Sequence, residues 1–599
     1  MIQRLRYLLR FYLLTVLVFI IAKWVFMVCC HEDSLSFADF LQVPYHGLSL
    51  DLSTALYFLV IPFVLTIISS VVRVPSWIFK VYNGFVAIAF SLAFLADTSL
   101  YEFWKFKLDA SCLQYLETPT DAMASVTTGY LLVRLVLWLL LVALLYVLYE
   151  QVVKRPLFKG GRWVEIPLNL LLTAVIVIGA RGGVGESTTN IGQVYYSQNQ
   201  FLNHAAVNPL FSFFASMSKS GDYLVSYDFY TEEECQALTD SLFFVHSENT
   251  DTLLRTRRPN IIMILMESCG GQFTELGGHP GITPHLNQLA HEGIYFTECY
   301  ANSWRTDKAV VSILSGYPAF PITSVMKVPE KSRKLPSIAA SLQNVGYETG
   351  FYYGGDINFT NMRSYVLGTG YEHLRWKVGY PRQAQKSARW GVRDDLMFAS
   401  LLEDIQEEES EHWMKTLLTL SSHEPWDVPT KDFEDEVYNS FHYLDRCIGQ
   451  FIDSLKKMPE WEDLLVIILP DHGYRYQGID ERTRLYNHIP MLWVGGAVKA
   501  PRHIQRVCNQ SDLAATLLGQ LGLDHSAFTF SRDVASPHYQ ADLAWHTYNN
   551  GVSVFDTTGF MAYDLDAQQM VASEGPEAER QLQVARAILQ LTSHDLLNK

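Results

Sequence analysis

Cysteine is scarce in this chain and shows no pattern. There are eight in 599 residues, and no two stand as Cys-x-x-Cys. Cys29 and Cys30 fall in an apolar run, and five others are scattered through the later part of the chain. This spacing shows no disulfide framework and no Cys/His zinc finger. Positive charge is also short. Lys and Arg number 46 against 62 Asp and Glu, a net charge of −16, which argues against a nucleic-acid partner. No internal repeats are present.

What is there is unevenly spread. The first 185 residues are mostly apolar, and the remainder reads as globular and acidic. Five stretches are long and apolar enough to cross a bilayer, near Leu8–Cys30, Leu52–Val72, Ile78–Tyr101, Gly129–Tyr149 and Ile166–Ala180, the last being the shortest. The first run is too long for a signal peptide and has no small-residue cleavage site, so it reads as an anchor. Arg4, Arg6 and Arg10 precede it; Arg73 lies in the second connection, and Lys154, Arg155, Lys159 and Arg162 lie in the fourth. The first outer loop carries Glu32, Asp33 and Asp39 instead. The positive-inside rule therefore predicts a cytoplasmic amino terminus, and an odd number of spans puts the later domain outside. Five buried core helices are the alternative.

Residues 184–255 read as a juxtamembrane linker. The connector, Arg181–Ser218, carries flexible Gly-Gly-Val-Gly and an apolar-faced segment from Asn203 to Phe214, which packs either at the membrane surface or on the later domain. Beyond it, strand-like and helix-like segments alternate, which predicts a largely parallel sheet with helices on both faces over 256–535. The tail, 536–599, changes character. Asn-Asn-Gly and Asp-Thr-Thr-Gly turns between β-rich runs predict a small antiparallel subdomain, closed by a helix over Gly575–Leu591.

Two apolar runs organise this second half. Asn260-Ile-Ile-Met-Ile-Leu-Met-Glu267 reads as a buried parallel strand with an acid at its carboxyl edge. Leu464-Leu-Val-Ile-Ile-Leu-Pro-Asp471-His472-Gly473 reads as another. Between them, Trp304-Arg305-Thr306-Asp307-Lys308 opens a helix that Gly316 ends. Open α/β sheets carry their sites at the carboxyl ends of strands. That brings Glu267, Asp471 and His472 together, with the Thr306 hydroxyl facing them. Singly, each has a plain reading: a solvated loop acid, a helix N-cap, a turn.

In this order and spacing, these residues resemble the alkaline phosphatase/sulfatase superfamily. Within it, the chain is similar to the lipoteichoic-acid-synthase-like branch of membrane-anchored phosphoglycerol transferases, relatives of the lipid A phosphoethanolamine transferases. The likeness runs over nearly the whole chain, the five membrane spans included. Sulfatases of the superfamily need a Cys or Ser in a Cys/Ser-x-Pro-x-Arg setting, and residues 304–308 offer neither. Thr306 is the nucleophile expected of the lipid-headgroup transferases.

The resemblance implies a metal enzyme. Glu267, Asp471 and His472 are oxygen and nitrogen donors, and with the Thr306 oxygen they suit one divalent cation, Mn²⁺ first, with Zn²⁺ or Mg²⁺ as alternatives. Arg305 and Lys308 flank the nucleophile and are expected to hold phosphate oxygens, with salt bridges to Asp307 as the plain alternative. Relatives place a substrate-binding His after a strand like that preceding His423. His488, before a further strand, is expected to complete the pocket. Asp356, Asn358, Phe359 and Arg363 fall where relatives surround glycerol phosphate. The expected Trp-x-Arg pattern is absent there, with Thr360 and Met362 in its place, which leaves the headgroup open. His279, His285 and His291 read as surface residues.

The expectation is a phosphoglycerol transferase in a bacterial cytoplasmic (inner) membrane. It takes the headgroup of phosphatidylglycerol onto Thr306 and passes it to a glycan or glycolipid hydroxyl, on the extracytoplasmic side. Two alternatives stand beside it: a phosphoethanolamine transferase using phosphatidylethanolamine, and a non-catalytic membrane scaffold on a sulfatase-like fold.

Overall fold

The computed structural model describes the chain except residues 1, 32–33, 105–106, 109–111, 113–127, 154–164, 186, 198, 218–224, 244–248, 480–482, 540–542, 550 and 566. Glu32 and Asp33, and the basic group Lys154, Arg155, Lys159 and Arg162, lie outside the described residues. The chain divides into two compact units, Met1–Gly221 and Asp222–Lys599.

The first unit is helical. Its long helices are α1 (Ile2–Cys30), α2 (Phe37–Val71), α3 (Ser76–Trp104), α4 (Thr128–Val152) and α5 (Glu165–Arg181). Ser36 starts α2 with a capping box: its hydroxyl accepts from Asp39 N, and the Asp39 carboxylate accepts from Ser36 N at 2.7 Å. Among the described residues, four helices are long and apolar enough to cross a membrane, those within α1 to α4. The expected fifth falls short. α5 has 17 residues, about 26 Å of helix against a hydrocarbon core of about 30 Å. α4 exposes Leu132, Val133, Val136, Leu139, Leu140 and Leu144, an apolar surface that water would not favour.

Buried charge ties this unit together. Lys23 of α1 pairs with Asp51 of α2, both almost fully buried. Lys107 pairs with Asp97 of α3, and Arg4 with Glu165 of α5. The apolar-faced segment forms α6 (Gln200–Ala206) and α7 (Pro209–Met217). It belongs to this unit: Asn208 donates to Asp51 Oδ1 at 2.9 Å, and Tyr101 bonds His204 at 3.0 Å.

The second unit opens with α8 (Glu232–Phe243) and is built on a sheet of nine strands. These are β1 (Asn260–Met266), β2 (Ile294–Tyr300), β3 (Glu348–Tyr353), β4 (His373–Trp376), β5 (Trp413–Leu418), β6 (Leu464–Pro470), β7 (His488–Val494), β8 (Arg502–Ile504) and β9 (Cys508–Asn509). The order is β4-β3-β5-β1-β6-β7-β2-β8, with β9 also on β2. Neighbours are parallel except β7, which runs against both β6 and β2.

β1 and β6 are buried on both faces. Ile261, Met263 and Leu265 enter one core with Leu465, Ile467 and Leu469; Ile262, Ile264 and Met266 enter the other with Val466 and Ile468. That is the period of two expected of a strand with both faces covered. The covering helices include α9 (Pro284–Glu292), α10 (Thr306–Ser315), α11 (Asp394–Gln406), α12 (Glu436–Leu455) and α13 (Leu513–Leu521). Register fixes the functional edge: Leu265 pairs with Leu418 on one side, and Met266 with Pro470 on the other. The exits of β1, β5 and β6 therefore lie side by side.

The tail forms a second, antiparallel sheet of four strands, β10 (Leu543–Tyr548), β11 (Gly551–Asp556), β12 (Phe560–Asp564) and β13 (Gln569–Glu574), with α14 (Ala578–Asn598) packed on β11 and β12. β10 returns to the main sheet through Thr547 N, which donates to Asn302 O at 2.9 Å.

Candidate active site

Glu267 is the first residue past β1. Its backbone N–H donates to Thr419 Oγ1 at 2.9 Å, and its carbonyl accepts from Ser422 Oγ at 2.6 Å. Both partners come from the exit of β5. Ser268 donates to Glu267 Oε1 at 2.7 Å and holds a left-handed backbone, φ 58°. A non-glycine residue there stores strain, which folds retain mainly where a site needs it.

Asp471 and His472 leave β6 beside it. Asp471 Oδ1 accepts from Ser268 N at 2.9 Å and His472 N at 2.7 Å, while Oδ2 is buried and accepts no hydrogen bond. His472 Nδ1 lies 2.7 Å from Gly473 O, which fixes the tautomer and leaves Nε2 as the free ring nitrogen. That Nε2 stands 3.8 Å from Glu267 and 3.5 Å from Asp471. Gly473 must be glycine: a Cβ would lie 2.1 Å from Tyr486 O.

Thr306 begins α10 after an extended Arg305. Its Oγ1 lies 3.2 Å from Glu267 Oε2 and 3.5 Å from His472 Nε2. The first backbone N–H groups of the helix have no partner within it and favour an anion. Three hydrogen bonds of the Gln510 side chain hold the helix in place. Gln510 Nε2 donates to Asp471 O at 3.0 Å and to Ala309 O at 3.4 Å, and Gln510 Oε1 accepts from Asn302 N at 3.1 Å. One side chain thus links the β6 exit to the approach and first turns of α10.

The arrangement suits a cation. Ligand atoms of Glu267, Asp471 and His472 all lie within 4.8 Å of one another, and all three residues are buried. Burial and the neighbouring Glu267 push the Asp471 carboxyl up to about 7, against the pull of His472. Burial works to lower the His472 pKa, but Asp471 and Glu267 outweigh it and raise it. Two adjacent buried acids, an orphaned Oδ2 and a free Nε2 are a hard/borderline donor set, and with Thr306 Oγ1 they fit one divalent metal.

The other expected residues divide. His423 follows β5, and the Ser422 bond sets its loop beside Glu267. Its Nδ1 lies 2.8 Å from Glu424 O, and its ring meets Trp390 edge-on at 4.8 Å. Arg305 is exposed next to Thr306, stacked on Trp304 at 4.5 Å. Asp356 and Arg363 lie past β3, one strand beyond β5. There Asp356 Oδ1 accepts from Asn358 N at 3.0 Å, and Thr360 and Asn361 are both left-handed, φ 57° and 64°. Burial lowers the Arg363 pKa, opposed by Asp356.

Three expectations are corrected. Lys308 is committed elsewhere: it is buried, and its ammonium donates to Phe320 O at 2.6 Å and Pro321 O at 2.8 Å. Burial lowers its pKa to about 8. Asp307 pairs instead with Lys327, at 3.0 Å. His488 is also committed elsewhere. Its Nε2 lies 2.6 Å from Thr297 O, and its ring stacks on Tyr300 at 5.1 Å. His285 is half-buried against α12, where a Cβ on Gly449 would meet its ring at 2.5 Å; His279 and His291 are exposed as expected.

Asp394 was not singled out from the sequence, yet it shapes the site. Fully buried at the start of α11, it accepts from Leu420 N at 2.8 Å and Ser421 N at 3.2 Å, and so holds the loop that carries His423. An acid pair before an apolar helix is its local signal; the long-range partners leave none.

The sulfatase family matches residues 259–523. The chain is 22% identical over 343 residues to lipoteichoic acid synthase 2 of Bacillus subtilis, covering 51% of this chain and 52% of the relative. It is 23% identical over 297 residues to phosphoglycerol transferase I of Escherichia coli, covering 44% and 38%. The chain thus spans about half the length, or less, of these relatives. Among solved structures, an alkaline phosphatase superfamily protein from Vibrio parahaemolyticus superimposes with a TM-score of 0.55 at 26% identity, covering 62% of this chain and 98% of that one. The lipoteichoic acid synthase LtaP of Listeria monocytogenes shares the fold, with a TM-score of 0.50 at 17% identity over 61% and 98%. The sulfatase match falls within the second unit, and the chain is similar to lipoteichoic acid synthase 2 and phosphoglycerol transferase I.

Proposed function

We propose that the protein is a membrane-bound, metal-dependent phosphoglycerol transferase with Thr306 as its nucleophile. The observation that carries this reading is the Thr306 hydroxyl at a helix start, 3.2 Å from Glu267 and 3.5 Å from His472. The names of the relatives and the long apolar helices support it.

Glu267, Thr306, Asp471 and His472 would hold the metal. When bound, it lowers the pKa of the Thr306 hydroxyl and offsets charge on phosphoryl oxygens. Thr306 Oγ1 attacks the phosphorus of phosphatidylglycerol as its proton passes to Glu267 Oε2, to which the hydroxyl donates at 3.2 Å. The Oγ1–P bond forms, and the bond from phosphorus to the diacylglycerol oxygen breaks. His423, with its Nδ1–H held on Glu424 O, gives that oxygen the proton that Nε2 takes up from solvent before the step. Arg305 offers charge-assisted hydrogen bonds to the phosphoryl oxygens. A glycan or glycolipid hydroxyl then attacks the Thr306 phosphodiester: its O–P bond forms, the Oγ1–P bond breaks, its proton goes to His423 Nε2, and Glu267 returns the proton to Oγ1.

A lipid donor explains a site tethered to apolar helices. The domain is placed on the extracytoplasmic face of a bacterial cytoplasmic membrane, which requires the short α5 to cross along with α1 to α4. A membrane-impermeant maleimide tests this on Glu409→Cys, an exposed position of the second unit. Labelling in intact cells supports the placement; labelling only after lysis refutes it.

The donor assay mixes full-length protein in detergent with acyl-labelled phosphatidylglycerol or phosphatidylethanolamine and Mn²⁺. Diacylglycerol from phosphatidylglycerol alone, absent with Thr306→Ala, is expected. Release from phosphatidylethanolamine alone makes the protein a phosphoethanolamine transferase. Metal bound with no release from either lipid contradicts both readings.

A further inference from the structure

The second unit contains five cysteines, all buried and free. Three sit singly. Cys235 donates to Ala587 O at 3.4 Å, while Cys269 and Cys447 pack in one apolar core. Such thiols act as small apolar side chains. Cys299 and Cys508 differ. They are register partners on the parallel strands β2 and β9, both fully buried, and the Cys299 thiol raises the pKa of the Cys508 thiol. Paired residues on adjacent strands point to the same face, with backbones about 4.8 Å apart. That lies inside the window of about 4.4–6.8 Å between Cα atoms that a disulfide spans.

We infer that Cys299 and Cys508 form a disulfide when this domain folds in an oxidising compartment. The inference rests on the extracytoplasmic placement proposed above. The two thiols lose two protons and two electrons as the S–S bond forms. The oxidant is a disulfide, of an oxidising protein or of oxidised glutathione, which becomes two thiols. A thiolate of one cysteine attacks it, and the second cysteine then displaces the mixed disulfide. Once the fold closes, neither sulfur is reachable, so the bond forms during folding.

The bond would act on the site's frame. β9 has only two residues, and Cys508 directly precedes Asn509 and Gln510. Asn509 Nδ2 donates to Trp545 O at 2.8 Å, and Gln510 carries the links to Asp471 and Ala309. A covalent tie at Cys508 pins the segment that joins the β6 exit to α10.

The test uses the full chain isolated from membranes, alkylated under denaturing conditions without reduction, then digested and weighed. Of eight cysteines, six are expected to be alkylated. Cys299 and Cys508 are expected in one linked pair of peptides, lighter by two hydrogens than the separate thiols and released by reduction. In Cys299→Ser, Cys508 becomes alkylated, which separates a bond from mere inaccessibility. If both cysteines alkylate without reduction while the Glu409→Cys label shows the domain outside, the inference is overturned and the placement stands. If the label shows the domain inside, the placement fails, and refolding the chain with oxidised and reduced glutathione decides: the linked peptides support the pairing, and two free thiols overturn it.

Discussion

Thr306 Oγ1 lies 3.2 Å from Glu267 Oε2, although 39 residues separate them in the chain. Neither side chain reaches the other by local geometry. The sheet edge brings Glu267 out between β5 and β6, and Gln510 fixes the start of α10 against the same edge.

The Asp-His-Gly turn depends on backbone contact. A Cβ at Gly473 would lie 2.1 Å from Tyr486 O, and one at Gly270 would lie 2.9 Å from Gly473 Cα. Gly473→Ala must move the loop that orients His472. It is expected to lower metal affinity at least about tenfold, as losses in a ligand's supporting contacts do. Metal titration of the purified protein checks this; unchanged affinity contradicts the assigned role of the loop.

Arg305 and Lys308 should separate in kinetics. Arg305→Ala removes an exposed guanidinium beside Thr306 and is expected to cost about 1.5–3 kcal/mol of phosphate binding, seen as a raised KM for phosphatidylglycerol. Lys308→Met leaves the Phe320 and Pro321 carbonyls without their donor. It is expected to lower the Tm by several degrees with KM little changed. A larger KM effect from Lys308 would reverse the assignment.

Asp394 gives the second unit a pH signature. Burial raises its carboxyl from 3.8 to about 7. The folded state therefore binds a proton that the unfolded state has released between about pH 4 and 7, so this group's contribution to stability falls as pH rises across that window and is flat above it. Asp394→Asn keeps an oxygen for Leu420 N and removes the charge. Thermal unfolding from pH 4 to 8 should show a weaker decline in the variant; an unchanged slope contradicts this account.

The first unit offers a test of buried charge. Lys23→Met leaves Asp51 uncompensated, and Asp51 Oδ2 already lacks a hydrogen bond. Breaking such a pair costs about 3–5 kcal/mol. Adding Asp51→Leu should recover much of that loss in detergent unfolding. A double variant no better than the single would show that the pair is not the cause.

Much of this was legible in the sequence. The apolar runs of β1 and β6, each ending in an acid, located Glu267 and Asp471, because a strand buried on both faces has no other composition. The helix at Thr306 announced itself by its start and by Gly316. What was not legible lay in direction and distance. Nothing in His488-Ile-Pro-Met says that β7 runs against its neighbours, so the sequence reads His488 as a pocket residue, whereas its Nε2 lies against Thr297 O. Lys308 beside a nucleophile looks like a phosphate ligand until the carbonyls that claim it are seen. α5 reads as a span by composition, and its helix of 17 residues stands at the lower limit of what crosses a bilayer. Asp394 and Gln510 act through partners far along the chain, which no local pattern encodes.

The central claim is a covalent phosphoglycerol on Thr306. The most direct measurement is peptide mass spectrometry of the full-length protein, quenched in acid after brief mixing with phosphatidylglycerol and Mn²⁺ in the absence of acceptor. The account predicts a phosphoglycerol adduct on the peptide containing Thr306, absent in Thr306→Ala. Diacylglycerol release with no adduct on that peptide, or release that survives Thr306→Ala, would contradict it.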